Sequence, residues 1–238
     1  TQNAAVVFGG YSHPTFYSCT EHYDGSSWSA GGAMINCVWT QGGGGTQNAA
    51  VSFGGRNPSD VNKVEEYNGS TWSVGKFMNQ ARGETSGTGT QTAVLAVGGI
   101  TPSVTAFVEE YNCTTTGNCA GAWSAGGAVI TQRDDMHFGS VGSQNATAIF
   151  SGRTSPTNTT NTEHYDGTSW SAGGSVITAR YIGSSTGTVN AGLLSGGNPA
   201  TGACVACVEE YNGSSWATGG ALACGADFLT AVGTQNAA

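Results

Sequence analysis

The sequence predicts an all-β protein assembled from five copies of one unit. Three observations predict it: a phrase recurring at near-constant spacing, apolar alternation of period two, and glycine-anchored turns. The phrase is TQNAA at Thr1. It returns at Thr46 (TQNAA), Thr90 (TQTAV), Ser143 (SQNAT), Thr188 (TVNAG) and Thr234 (TQNAA), at spacings of 45, 44, 53, 45 and 46 residues. A period of this size marks a repeat architecture in which each unit buries its apolar face against its neighbours.

Each unit continues in the same order. A short apolar segment ends in a glycine pair or the relic of one: VVFGG, VSFGG, LAVGG, AIFSG and LLSGG. A variable stretch follows, then a strand-like CTEHYD, KVEEYN, FVEEYN, NTEHYD or CVEEYN, a tight turn and a tryptophan, Trp28, Trp72, Trp123, Trp170 or Trp216. A glycine-plus-apolar segment closes the unit. Val, Thr, Tyr and Trp enrichment favours short antiparallel strands. The D-G-S-S-W and N-G-S-T-W turns read as type I′ hairpins, with glycine supplying the positive φ. No credible amphipathic helix interrupts the pattern.

With no linker visible, the 238 residues read as a single domain spanning 1–238, with repeats starting near 1, 46, 90, 143 and 188. The 39 glycines and only 9% charged residues are turn-dense, while 38% hydrophobic content with six Trp and eight Tyr argues for a packed core. A net charge of -8, from 15 acidic against 7 basic residues, leaves no basic stripe for a nucleic acid and disfavours anionic membrane surfaces. No apolar run approaches the roughly 20 residues that cross a bilayer, so no membrane insertion is expected. The opening TQNAAVVFGG lacks the order of a signal peptide and already lies inside a repeat, as in an excised or processed piece.

A glycine pair, then a Tyr, then a Trp about five residues on, at a period near 45, resembles the kelch repeat over nearly the whole chain. The resemblance implies a five-bladed kelch-like β-propeller of four-stranded blades. Strand b would be Ala4 to Phe8, strand c Cys19 to Tyr23, and strand d Trp28 onward; strand a of the next blade would lie near Val38 to Gly43. The arginine that opens strand a in that family matches Arg82, Arg133 and Arg180, but Val38 and Ala226 stand there in the other units, a departure that marks a divergent member. Ring closure is expected from the C-terminal strand a, Phe228 to Val232, pairing beside Ala4 to Phe8. The last TQNAA, residues 234–238, begins a truncated sixth phrase that either hangs loose or marks a longer array; a linear fragment is the alternative to a ring.

Seven cysteines leave at least one without a partner in the chain. Cys113 and Cys119 bracket an insertion that lengthens the third repeat, and a local disulfide is expected there. Cys19 and Cys207 occupy equivalent strand-c positions and Cys37 and Cys224 nearly equivalent ones between d and a. That suggests two similar bridges within or between blades, or else buried thiols; Cys204 is left over. No second Cys/His pair accompanies the lone CVAC at zinc spacing, so no metal is expected. Asn68, Asn112, Asn145, Asn158 and Asn212 begin glycosylation triplets, mostly as by-products of the repeat phrase.

Catalysis needs a constellation that does not recur in every blade. The Glu65-Glu66, Glu109-Glu110 and Glu209-Glu210 pairs, with Glu21-His22 and Glu163-His164 as equivalents, do recur, and neighbours along a strand point to opposite faces. Asp134, Asp135, Met136 and His137 form the one local acid-plus-His group, read as a turn or strand edge over a metal site. Some kelch propellers are copper radical oxidases, but His13, His22, His137 and His164 are too few and scattered for that set. With no nucleophile elbow, P-loop or dinucleotide fingerprint, neither an enzyme nor a cofactor is expected.

The variable stretches between the glycine pair and strand c would project from one face, a scaffold presenting a changing surface or the result of ordinary loop drift. Candidate binding residues there are Tyr11, His13, Phe16, Tyr17, Arg56, Asn57, Arg153 and Asn198; the aromatic ones could stack on sugar rings. Gly/Ser/Thr/Asn-rich units built around EEYNGSSW and GTQNAA look like kelch-like repeats in structural proteins of marine bacteriophages. The expected role is therefore structural display on a virion or other extracellular particle. Its partners would be other virion or filament subunits and a host-surface glycan. The alternative is a secreted carbohydrate-binding propeller with one site per blade, against which Tyr11, Arg56, Ile100, Thr154 and Asn198 share no chemistry.

Overall fold

A computed structural model describes residues 4–114, 121–136, 140–199, 205–227, 231 and 233–236. They form a five-bladed β-propeller. Blade 1 contains β1 (Ala5–Phe8), β4 (Thr20–Tyr23) and β5 (Trp28–Ala30), and a short hairpin of β2 (Tyr11–Ser12) and β3 (Thr15–Phe16) sits in its b-to-c loop. Blade 2 runs β6 (Gly42–Thr46), β7 (Ala49–Phe53), β8 (Val64–Tyr67) and β9 (Trp72–Val74). Blade 3 runs β10 (Ser86–Thr90), β11 (Ala93–Val97), β12 (Val108–Asn112) and β13 (Ala122–Ala125). Blade 4 runs β14 (Ser140–Ser143), β15 (Ala146–Phe150), β16 (Thr162–Tyr165) and β17 (Trp170–Ala172). Blade 5 runs β18 (Ser184–Thr188), β19 (Ala191–Ser195), β20 (Val208–Tyr211) and β21 (Trp216–Thr218). All pairings are antiparallel and in sequence order from the axis outward.

Strands b, c and d start within a residue of their expected places, but the inner strand starts later. It begins at Gly42 rather than Val38, and Val38, Arg82, Arg133 and Arg180 fall in the crossover that delivers the chain to the axis. Propensity disfavours glycine in strands, yet here the axis demands it. A Cβ on Gly87 would lie 2.5 Å from the Gly43 carbonyl oxygen of the neighbouring inner strand, and one on Gly42 would lie 2.2 Å from the Phe53 ring. The c-to-d turns also differ from the two-residue hairpin expected. In each of blades 1, 2, 4 and 5 four residues separate the paired Tyr and Trp, with an Asp or Asn side chain accepting two backbone N–H groups, as Asp24 does from Ser26 and Ser27 at 2.8 Å.

Three repeated contacts hold blade to blade. The turn glutamine of each phrase reaches back and donates to two carbonyls of the preceding blade: Gln47 to Ala5 and Tyr23, Gln91 to Ala50 and Tyr67, Gln144 to Val94 and Tyr111, and Gln235 to Gly192 and Tyr211. Where the phrase has Val189 instead, that side chain packs against the apolar cluster around Phe150 and Tyr211. The strand-c tyrosine meets the preceding blade's second strand-c polar residue: Tyr67 with His22 at 2.8 Å, Tyr111 with Glu66, Tyr165 with Glu110, and Tyr211 with His164 at 2.7 Å. The strand-d tryptophan donates across the same seam, Trp72 to Thr20, Trp170 to Gly127 and Trp216 to Thr162. The glutamate pairs are therefore structural, one member on each face of the strand.

The other glutamate binds the crossover. Glu65, Glu109, Glu163 and Glu209 are each buried and accept two successive crossover N–H groups, from Ile35 and Asn36, Asn79 and Gln80, Ile130 and Thr131, and Ile177 and Thr178. In blades 3, 4 and 5 a fully buried arginine from the same crossover pairs with that carboxylate: Arg82 at 3.3 Å, Arg133, and Arg180 at 3.0 Å. Burial pulls the Arg82 guanidinium down to about 10, still charged at neutral pH.

The expected pairing of Phe228 to Val232 beside Ala4 to Phe8 lies outside the described residues apart from Ala231. Ala231 donates to Ser184, and Gly233 accepts from Thr186 at 2.7 Å, as Gly142 of β14 accepts from Thr88 of the adjacent inner strand β10. Ala231 and Gly233 thus lie beside β18, and Gln235, in the turn that follows, is seated on blade 5, so the described part of the last phrase does not hang loose. Cys19, Cys37, Cys207 and Cys224 are free thiols, so neither of the two bridges suggested for them is formed. Cys113 is disulfide-bonded, while Cys119 and Cys204 lie outside the described residues.

Two substitutions test this framework. Glu163→Gln leaves the Arg133 charge buried without its counter-ion, and is expected to cost about 3 kcal/mol or more in denaturant unfolding. Gln91→Ala strands two buried carbonyls and is expected to cost about 2 kcal/mol in the same measurement.

Candidate functional site

The crossovers that Glu65, Glu109, Glu163 and Glu209 hold end two residues beyond the arginine position, at Thr40, Glu84, Asp135 and Ile182. All four adopt left-handed backbone, with φ of 55°, 57°, 49° and 51°. For β-branched Thr40 and Ile182 that conformation is costly, and it persists because the neighbouring crossovers bond one another, Glu84 N–H to the Thr40 carbonyl and Ile182 N–H to the Asp135 carbonyl, each at 2.9 Å. Among the described residues the repeat thus fixes one backbone position in each of four crossovers at one mouth of the axis and leaves its side chain free to vary.

A cavity of about 900 Å³ opens there, lined by Val6, Val7 and Phe8 of blade 1, the aromatic rings of Tyr11, Trp39 and Tyr181, and the polar side chains of Thr40, Gln41, Glu84, Asp135 and Arg153. Tyr11 lies between Trp39 and Phe16, with ring centroids 5.1 and 5.0 Å away, and its hydroxyl meets His13 at 2.8 Å. Two arginines reach in from the loops after the glycine pairs. Arg56 holds Asp60 at 2.7 Å and Glu84 at 2.5 Å. Arg153 touches Asp135 at 2.9 Å and Asp134 at 3.3 Å, comes within 3.9 Å of Glu84, and lies 5.6 Å from the centre of the Tyr181 ring.

The site is over-acidic and partly dry. Carboxylate oxygens of Glu84, Asp134 and Asp135 lie within 4.8 Å of one another, close enough for one cation, and Arg153 supplies positive charge to all three. Burial and then the Asp135 charge push the Glu84 carboxyl up to about 7, and burial raises Asp134 as well. Trp39 Nε1 and Thr40 Oγ1, adjacent on the cavity wall, are buried without a hydrogen-bond partner, as are the Nε atoms of Arg82 and Arg180 in the seams. No family model and no curated protein sequence matches this chain.

The loops of the sequence expectation therefore divide. Tyr11, Arg56 and Arg153 converge on the mouth, with His13 and Phe16 bracing Tyr11. Asn57 instead donates to the Cys37 carbonyl at 2.6 Å, and Asn198 exchanges backbone bonds with Tyr181, so both brace the rim. Tyr17 is exposed, its amide on the Gly10 carbonyl. The comparison of first loop positions was also one residue out in blade 4: isolated bridges pair Trp39 with Arg56, Gly83 with Ile100, Asp134 with Arg153 and Tyr181 with Asn198, so Arg153, not Thr154, is the equivalent. His137 lies outside the described residues. Trp39, Thr40, Glu84 and Tyr181 escaped the sequence reading. The signal that finds them is their fixed offset from the arginine position, where Glu84 and Asp135 break an otherwise uncharged repeat.

The raised carboxyl has a measurable consequence. Because folding favours protonated Glu84, stability should fall as pH rises from about 4.5 to about 7 and level off above, with Asp134 adding slope of the same sign. Urea midpoints across that range should show the decline, and Glu84→Gln should flatten its upper part.

Proposed function

We propose that this propeller is a binding module whose axial mouth takes a saccharide. The observation that carries the reading is the pair of unpartnered buried atoms, Trp39 Nε1 and Thr40 Oγ1, on residues that line a cavity walled by Tyr11, Trp39 and Tyr181. A donor and acceptors beside aromatic faces match the alternating hydroxyls and C–H faces of a sugar ring. One site on the axis, not one per blade, also fits the five loop positions, of which only Arg56 and Arg153 share a side-chain type.

The reading assigns recognition rather than catalysis, since the recurring strand-c carboxylates are committed to crossovers and seams, and those of the mouth to Arg56 and Arg153. The kelch-like and phage-like look of the repeats supports a setting on a virion or particle surface, where the sugar would belong to a host-surface glycan. An array of bacterial-surface oligosaccharides, read with the purified chain, tests this. Binding to a defined glycan is expected, weakened at least about tenfold by Trp39→Ala and by Arg153→Ala but kept by Tyr17→Ala. Absence of binding to any glycan, or loss equally severe in Tyr17→Ala, overturns the reading.

A further inference from the structure

At its inner end the fifth seam is closed by Gln235 as three of the others are by their glutamines, but its outer strands are not covered as those of the other four are. Glycines that follow strand d are covered by the next blade's turn: a Cβ on Gly32 would meet the Ser70 carbonyl at 2.1 Å, one on Gly127 the Thr168 carbonyl at 2.7 Å, and one on Gly174 the Ser214 carbonyl at 2.2 Å. Gly220, the equivalent in blade 5, has nothing within 4 Å. On the facing side Trp28 is 51% exposed, whereas Trp72 and Trp123 are buried. Glu21, the blade 1 counterpart of the buried crossover-binding glutamates, is exposed, and so is Glu210, the counterpart of the residues that meet a neighbour's tyrosine.

The backbone register shows which side chains face each other when such a seam is packed. In blade 2, Lys63 lies two residues before Glu65, and its ammonium donates to Asn36 of the crossover entering that blade. In blade 4, Asn161 lies two residues before Glu163 and donates to Thr131 of its crossover at 2.8 Å. The same bonds index both positions in the fifth seam. The Cys19 carbonyl accepts from Gly9 as those of Lys63 and Asn161 accept from Gly54 and Ser151. Leu222 N–H donates to the Ala206 carbonyl as Met34 and Val129 do to Ser18 and Ala106, so Cys224, two residues on, stands where Asn36 and Thr131 stand. The residue pair at the fifth seam is Cys19 and Cys224, both free and both exposed.

We propose that Cys19 and Cys224 form a disulfide that clasps blade 5 to blade 1. Side chains at this paired position face each other and are in hydrogen-bond contact in blades 2 and 4, so the packed seam directs the two cysteines toward one another. The reaction requires a small-molecule disulfide of the oxidised-glutathione class. One cysteine thiolate attacks a sulfur of that molecule and expels one thiol; the second attacks the mixed disulfide and expels the other. Two protein thiols become one protein disulfide, and one small disulfide becomes two thiols. Closure brings Glu21 onto the Ala223 and Cys224 amides, Tyr23 onto Glu210, and Trp28 under cover beside Gly220, completing for blade 1 what the other blades have.

The full chain, reduced and then treated with oxidised glutathione, provides the test. After alkylation and non-reducing peptide mapping, the expected product is a monomer carrying a linked peptide pair with Cys19 and Cys224. Its melting temperature should rise by on the order of 10 °C over the reduced chain. Trp28 should become protected from iodide quenching, a change absent in Trp28→Phe. Cys224→Ser should fold with the melting temperature of the reduced chain and show neither change. A link from Cys19 to Cys37 or Cys207, a covalent dimer in place of the monomer, or alkylation of both cysteines after oxidation overturns the proposal.

Discussion

The buried strand-c carboxylate is the interaction on which the rest of the propeller depends. A chain that has finished one blade must return to the axis with its backbone polar groups inside protein, and an unpaired buried N–H is costly. Glu65, Glu109, Glu163 and Glu209 meet that need with two acceptor contacts each, and three of them are themselves balanced by a buried arginine. Because the crossover is fixed there, the residue at its end is fixed too. That residue is the left-handed Thr40, Glu84, Asp135 or Ile182, and the axial mouth is made of them.

The glycine pair gives the same crossover its second anchor. Its second member has φ between 96° and 116° in all five blades and donates to the carbonyl of Val38, Arg82, Arg133, Arg180 or Ala226. Backbone, not side chain, makes this bond, which is why valine and alanine replace arginine without moving the crossover. Blade 4 keeps the geometry with Ser151 at φ 56° as the first member, its hydroxyl bonded to Arg180 and Thr159. The framework thus tolerates change at side chains and none at backbone bonds, and variation accumulates in the mouth.

At the mouth, charge and apolar surface are set against each other. Arg56 and Arg153 do not fully offset Glu84, Asp134, Asp135 and Asp60, and burial raises the cost of the remaining charge. Beside them Tyr11, Trp39 and Tyr181 present rings to the same cavity. The seam glutamates each accept two backbone N–H groups, whereas Glu84 is held by Arg56 on one oxygen and lies 3.9 Å from Arg153 on the other, which distinguishes the mouth from the seams.

The sequence by itself determined the repeat, the blade count, the strand order and the structural standing of the glutamate pairs, because these follow from features that recur in every unit: period-two alternation, the glycine pair, and the Tyr-to-Trp spacing. It misplaced the inner strand by four residues because local propensity counts glycine against a strand, and only the crowding of inner strands around an axis reverses that. Tyr11, Arg56 and Arg153 were legible as loop residues, but not that Arg56 meets Glu84 and Arg153 meets Asp135, from crossovers 28 and 18 residues away in sequence. That meeting, like the exposed fifth seam, is decided by the tertiary structure. Residues from different blades become neighbours only when the sheets are arranged around one axis, and no local pattern encodes that distance.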